Sequence, residues 1–174
     1  MSLKELTADL HTDAENTAFM KAVIGRKIPL DVWADFTYQK SLFYNAIEGC
    51  AGACSLLNDL PDIQRTFYLY QDFKEMAGDK KFTYKQSTID YYNYILGLYP
   101  DANKIMAHVY VWHMGDLFGG QMIKKVVNAP SKALEFADVN VLKERIRSKI
   151  DDSMADEARV AFQWAIKIMQ EYTL

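Results

Sequence analysis

Apolar side chains recur along this chain at steps of three and four residues almost from end to end, the spacing that puts them on one face of an α-helix. Leu3, Leu6, Leu10 and Ala14 open the series, and a short helix follows through Phe19 and Met20 to Ile24. Gly25 ends that helix, with Arg26 and Lys27 beside its negative dipole end. Pro29 and Asp31 suit the first turn of a long helix, whose apolar side reads Val32, Trp33, Phe36, Phe43 and Ile47 and continues past Cys50. Leu60-Pro61 marks a break, after which helices are predicted over about 61–77 and 84–98, bounded by Gly78-Asp79-Lys80 and Pro100-Asp101. The next runs from near Ala102 to about Val127, where Asn128-Ala129-Pro130 stops it, and two more cover about 139–152 and 155–172. No segment alternates as a strand would, and no repeat or low-complexity tract occurs. The pattern predicts an all-α, single-domain bundle over residues 1–174, of about seven to eight helices.

Composition narrows the function classes. With 174 residues the chain has room for one domain with a sizeable core. A formal net charge of -3 argues against general nucleic-acid binding, which asks for a basic face. No apolar run approaches the ~20 residues that span a bilayer, and the opening MSLKELTADLHTDAEN is polar and acidic, unlike a signal sequence. A cytoplasmic protein with no membrane partner is expected. Cys50 and Cys54 share a helix face and read as small buried hydrophobes in a reducing compartment. No CxxC pair, HExxH run or EF-hand loop points to zinc or calcium, and no Glu-x-x-His pairs point to a di-iron site.

Candidate chemistry starts at Gly115-Asp116-Leu117-Phe118-Gly119-Gly120, in the helix predicted from Ala102. Each glycine in a helix interior costs roughly 1 kcal/mol relative to alanine. Three together break good helix design, and such breaks tend to sit where function chose the residues. Without Cβ atoms the backbone there can receive something flat or bulky, and Asp116 would be the ionisable group at that contact. The spacing of Gly115 and Gly119 also suits plain helix packing, and spacing alone does not separate the two readings. A second feature lies on the N-terminal helix, where His11 and Glu15 share a face. A carboxylate beside an imidazole can orient it toward a metal, although the same pairing occurs as an ordinary surface contact. A solitary histidine cannot close a metal site, but it can be the axial ligand of iron already held by a macrocycle. His108 and His113 read as structural.

An axial histidine on one helix and a glycine wall on another would sandwich a flat haem. At this point the sequence resembles the haem oxygenase family, in its compact bacterial and cyanobacterial form. HTDAENTAFMK at 11–21 is similar to the family's proximal segment, GDLFGGQMIKK at 115–125 to its distal GDLSGGQ signature, and EFADVNVLKERIRSKIDD at 135–152 to a segment that contacts the haem propionates. The resemblance implies haem between the N-terminal helix and a kinked glycine-rich helix. It implies His11 as the iron ligand with Glu15 its hydrogen-bonding neighbour, and Gly115 and Gly119 packed over the ring with Gly120 extending the kink. Asp116 then anchors a water network that Tyr44 joins. Lys4, Lys143 and Arg147 would pair with the propionates, with Tyr110 near that edge. It further implies cleavage of haem with O2 to biliverdin IXα, carbon monoxide and ferrous iron, ferredoxin as electron donor and a bilin reductase downstream. The alternative is a haem carrier or sensor without turnover. Four positions depart from the family pattern: Trp112 where arginine is common, His113 where tyrosine is, Phe118 where serine is, and Ala8 where lysine is. Losing the arginine removes a fixed charge near Asp116.

Overall fold

The computed structural model describes residues 1–174 and contains helices only. In chain order these are α1 (Leu3–Leu6), α2 (Ala8–Glu15), α3 (Ala18–Ile24), α4 (Leu30–Ala53), α5 (Thr66–Ala77), α6 (Gln86–Leu96), α7 (Ala102–Val109), a π-helical turn (Tyr110–Met114), α8 (Gly115–Val126), α9 (Val139–Arg147) and α10 (Ala155–Gln170). Short 3-10 turns at Lys132–Leu134 and Asp152–Met154 complete the set. The all-α expectation holds. The segments outnumber the seven or eight expected because the stretch from Leu3 to Ala14 divides at Thr7 and the one from Ala102 to Val127 divides at the π turn.

Those divisions have visible causes. Ser2 and Glu5 form a reciprocal capping box at α1, and the Thr7 hydroxyl donates to the Leu3 carbonyl at the α1–α2 joint. Thr17 caps α3 by accepting from Met20 N–H, Asp101 caps α7 through Lys104 N–H, and Asp138 caps α9 through Val141 N–H. Pro29 occupies the N-cap of α4, just outside its first turn. The helix expected from about residue 61 starts at Thr66, because a side chain from α4 holds its first N–H groups: Glu48 accepts from both Arg65 and Thr66. The helix expected to reach 152 ends at Arg147, and Asp151 starts the following turn by accepting from Ser153 N–H.

Helix α4 runs through the middle of the bundle and packs on α5, α6 and α7, while α10 closes the other side against α2, α3, α6 and α7. Phe19, Phe43, Ile47, Tyr91, Ile105 and Leu117 have no exposed surface. Fully burying an apolar side chain of this size contributes roughly 1.5–3 kcal/mol. The segment after α8 is tied down by polar bonds instead: Asp72 on α5 accepts from Lys132 and Ala133 N–H, and buried Arg65 donates to the Glu135 carbonyl. Cys50 is buried but Cys54 is only half-buried, so the small-hydrophobe expectation applies fully to the first alone; both are free thiols. No helix is long and apolar enough to cross a membrane.

Candidate functional site

A cavity of about 1090 Å³ opens between α1–α2 on one side and the π turn with α8 on the other. That is just above the range of small-molecule sites, roughly 300–1,000 Å³. Trp33, Phe36 and Lys40 of α4 contribute to its lining, as do Phe162 and Ala165 of α10. His11 projects from α2 into this space with 60% of its side chain exposed, its ring edge-on to Phe162 at a centroid distance of 5.9 Å. Glu15 Oε1 lies 3.8 Å from His11 Nδ1, longer than a hydrogen bond.

Opposite stands the glycine helix, and the three glycines divide. A Cβ on Gly115 or Gly119 would meet nothing within 4 Å, and both residues line the cavity. A Cβ on Gly120 would come 2.9 Å from Leu134 Cδ2, so the structure places that glycine against the protein and off the cavity wall. The kink expected from the glycines begins one turn earlier, in the π turn. An i→i+5 turn inserts an extra residue and rotates the helix downstream of it, a feature frequent at functional sites. After that rotation Gly115 and Gly119 face the cavity, while His113 and Leu117 are fully buried.

Asp116 is nearly enclosed, with 9% of its side chain exposed where it meets the cavity. Its Oδ1 accepts from Lys40 Nζ at 2.6 Å and its Oδ2 from the Tyr44 hydroxyl at 2.6 Å. Tyr44 itself is fully buried behind the wall. Burial, and next the Asp116 charge, pushes its phenol well above the ordinary value of 10.0, so it stays a donor. Lys40 is a site residue that the sequence pattern did not single out. Its signal lay in a polar stripe, Lys40, Tyr44 and Glu48, spaced four apart on the face of α4 that the structure buries.

At the cavity rim the basic residues separate. Lys4 and Arg147 reach the lining, as does half-buried Tyr110, whose phenol is raised mainly by burial. Lys143 does not line the cavity; its Nζ sits 3.7 Å from the centroid of the Phe118 ring, and the Arg147 guanidinium lies over the same ring at 5.3 Å. Phe118 is thus more than added bulk, since it gathers the two cations. Both remaining histidines are buried with carboxylate partners: His113 Nε2 lies 2.8 Å from Glu48, and His108 bridges Tyr91 and Glu157 at 2.6 and 2.8 Å. Trp112 donates its indole N–H to the Tyr91 hydroxyl.

A sequence model described as heme oxygenase matches residues 1–171. The chain belongs to the haem oxygenase family. It is 23% identical to the heme oxygenase of Porphyra purpurea over 201 aligned residues, covering 97% of this chain and 84% of that one. With heme oxygenase 2 of Mus musculus it shares 26% identity, covering 97% of this chain and 64% of the longer mouse protein. The fold superposes with a TM-score of 0.84 on heme oxygenase-1 of the cyanobacterium Synechocystis, a structure solved in complex with heme, at 22% identity over 97% of this chain and 89% of that one. Family membership makes haem the group against which the cavity's donors and open wall have to be judged.

Proposed function

We propose that this haem oxygenase binds haem in the cavity between α2 and α8 and cleaves it at the α-meso carbon to biliverdin IXα, carbon monoxide and ferrous iron. The observation that carries this reading is a single cavity with an imidazole on one wall and, opposite, a strip of helix without Cβ atoms beside a hydrogen-bonded carboxylate. The residues fit the group. The open space over Gly115 and Gly119 is a cradle that side chains would have filled, as a flat macrocycle requires. When bound, the iron supplies O2 activation, with electrons from a reductant such as ferredoxin, and a bilin reductase suits the product.

His11 would hold the iron through a ring nitrogen, with the Glu15 carboxylate one turn along the same helix and 3.8 Å from Nδ1. Asp116 has one bond on each oxygen, which leaves lone pairs to hold water at the cavity face. A proton delivered through such water arrives more gently than from an acid in direct contact. Tyr44 fixes that carboxylate from behind. Lys4 and Arg147, with Lys143 held beside them by Phe118, place positive charge at the rim where two carboxylates would emerge.

Haem added to the protein should give a Soret band, and ferredoxin with its reductase should then convert that band to biliverdin absorbance. A stable complex with no bilin would instead establish a carrier or sensor. His11→Ala should abolish the histidine-ligated spectrum, and an unchanged spectrum would assign the ligand elsewhere. Asp116→Ala should slow bilin formation about 100-fold or more, the low end of what a positioned proton donor contributes.

A further inference from the structure

Lysine is almost never buried without a partner, yet Lys40 is 8% exposed in the middle of the longest helix. Its partner is Asp116, and the two meet at 2.6 Å with both side chains on the cavity wall. Tyr44 occupies the other carboxylate oxygen, so Asp116 is pinned at both ends by donors from one helix, one turn apart. No other cation pairs with it: Arg65 is committed to Asp62 and backbone carbonyls, and Trp112, a neutral donor, bonds Tyr91. The ammonium keeps donors beyond the one given to Asp116.

We infer that Lys40 is a positioning residue for the haem reaction: it orients the Asp116 carboxylate and balances its charge, so that the wall facing the haem iron presents an ion pair and not a bare anion. This rests on the proposal that the cavity binds haem. Trp112, on the turn before α8, gives Asp116 no charge, and Lys40 brings a cation to that carboxylate from α4. A purely structural ion pair would hold α4 to α8 but need not project a field into the cavity. Removing one partner of this pair leaves an unbalanced charge at the wall, and the sign of that charge depends on which partner goes.

Azide binding to the ferric haem complex reads that sign, because azide is an anion bound at the iron. Lys40→Met leaves Asp116 unbalanced and should weaken azide roughly 10-fold, the scale of a unit charge several ångströms away at intermediate dielectric. Asp116→Asn leaves Lys40 unbalanced and should tighten azide by a similar factor. The double variant should return to within about 3-fold of the parent, since the two charge effects cancel, and Lys40→Arg should stay near it. Shifts of the same sign in the two single variants, or no shift in either, would overturn the inference. Should Lys40→Met fail to fold, Asp116→Asn alone decides, because it must tighten azide. If the parent chain gives no Soret band, the haem reading itself has failed; a denaturant double-mutant cycle on the unliganded protein then still tests whether Lys40 and Asp116 are coupled, and additivity would refute the pairing.

Discussion

At Gly119 a methyl group would meet nothing within 4 Å, while one residue on, at Gly120, it would strike Leu134 at 2.9 Å. The two glycines therefore answer to different pressures, although they are neighbours in one signature. Gly119→Ala should stabilise the unliganded protein by roughly 0.5–1 kcal/mol, the usual gain of alanine over glycine inside a helix. The same methyl should weaken haem binding, because it fills the space that the macrocycle would use. Denaturant unfolding and a haem titration on one variant would show these opposite signs, and unchanged haem affinity would move the ligand off this wall. Gly120→Ala should gain less than Gly119→Ala, since the Leu134 methyl must first move aside, and the same unfolding curves would show the difference. At this scale the sequence showed that the glycines were anomalous but not which way each one faces. That depends on the π turn, and on where Leu134 comes to rest.

Among the elements, α4 does the most. Its apolar face builds the core, and its polar stripe reaches three different partners: Lys40 and Tyr44 hold Asp116, and Glu48 holds the start of α5 and His113. Glu48 stays ionised despite burial. Burial alone would raise its carboxyl, but bonds from His113, Thr66 and Arg65 outweigh that and hold it below the ordinary 4.5. Glu48→Ala would orphan the first N–H groups of α5 together with a buried imidazole, and should cost about 3 kcal/mol or more. Urea unfolding measures the loss, and a change under 1 kcal/mol would mean that water replaces the carboxylate. Periodicity cannot see such a stripe as functional, because one polar residue per turn on a long helix also reads as a solvated edge.

For the molecule as a whole, acid is the condition that unlocks these polar ties. Glu48 and Glu157 both titrate lower in the folded protein than their ordinary 4.5; for Glu157, bonds from His108 and Tyr94 overcome the opposing effect of burial. A depressed carboxyl binds its proton more weakly when folded, so its stabilisation is complete above the unfolded value and lost as pH falls through the folded one. Stability should therefore be flat with respect to these two groups above about pH 5 and fall below about 4.5. Glu157→Gln should flatten part of that fall, which unfolding curves between pH 3 and pH 6 would show. A profile identical to the parent's would assign the acid transition to other groups.

Helix content, the single-domain bundle, and the positions of His11 and of the Gly115–Gly120 stretch were determined by the sequence, because apolar spacing and glycine content act locally and survive in one dimension. Matching segments then named the family. Only the tertiary structure decided that Gly120 packs inward, that Phe118 collects Lys143 and Arg147, and that Lys40 meets Asp116 from 76 residues away. Those outcomes depend on how helices rotate about their axes and on which buried charge must find a partner. Neither is encoded by neighbouring residues, so neither could be read until α4 and α8 were packed together.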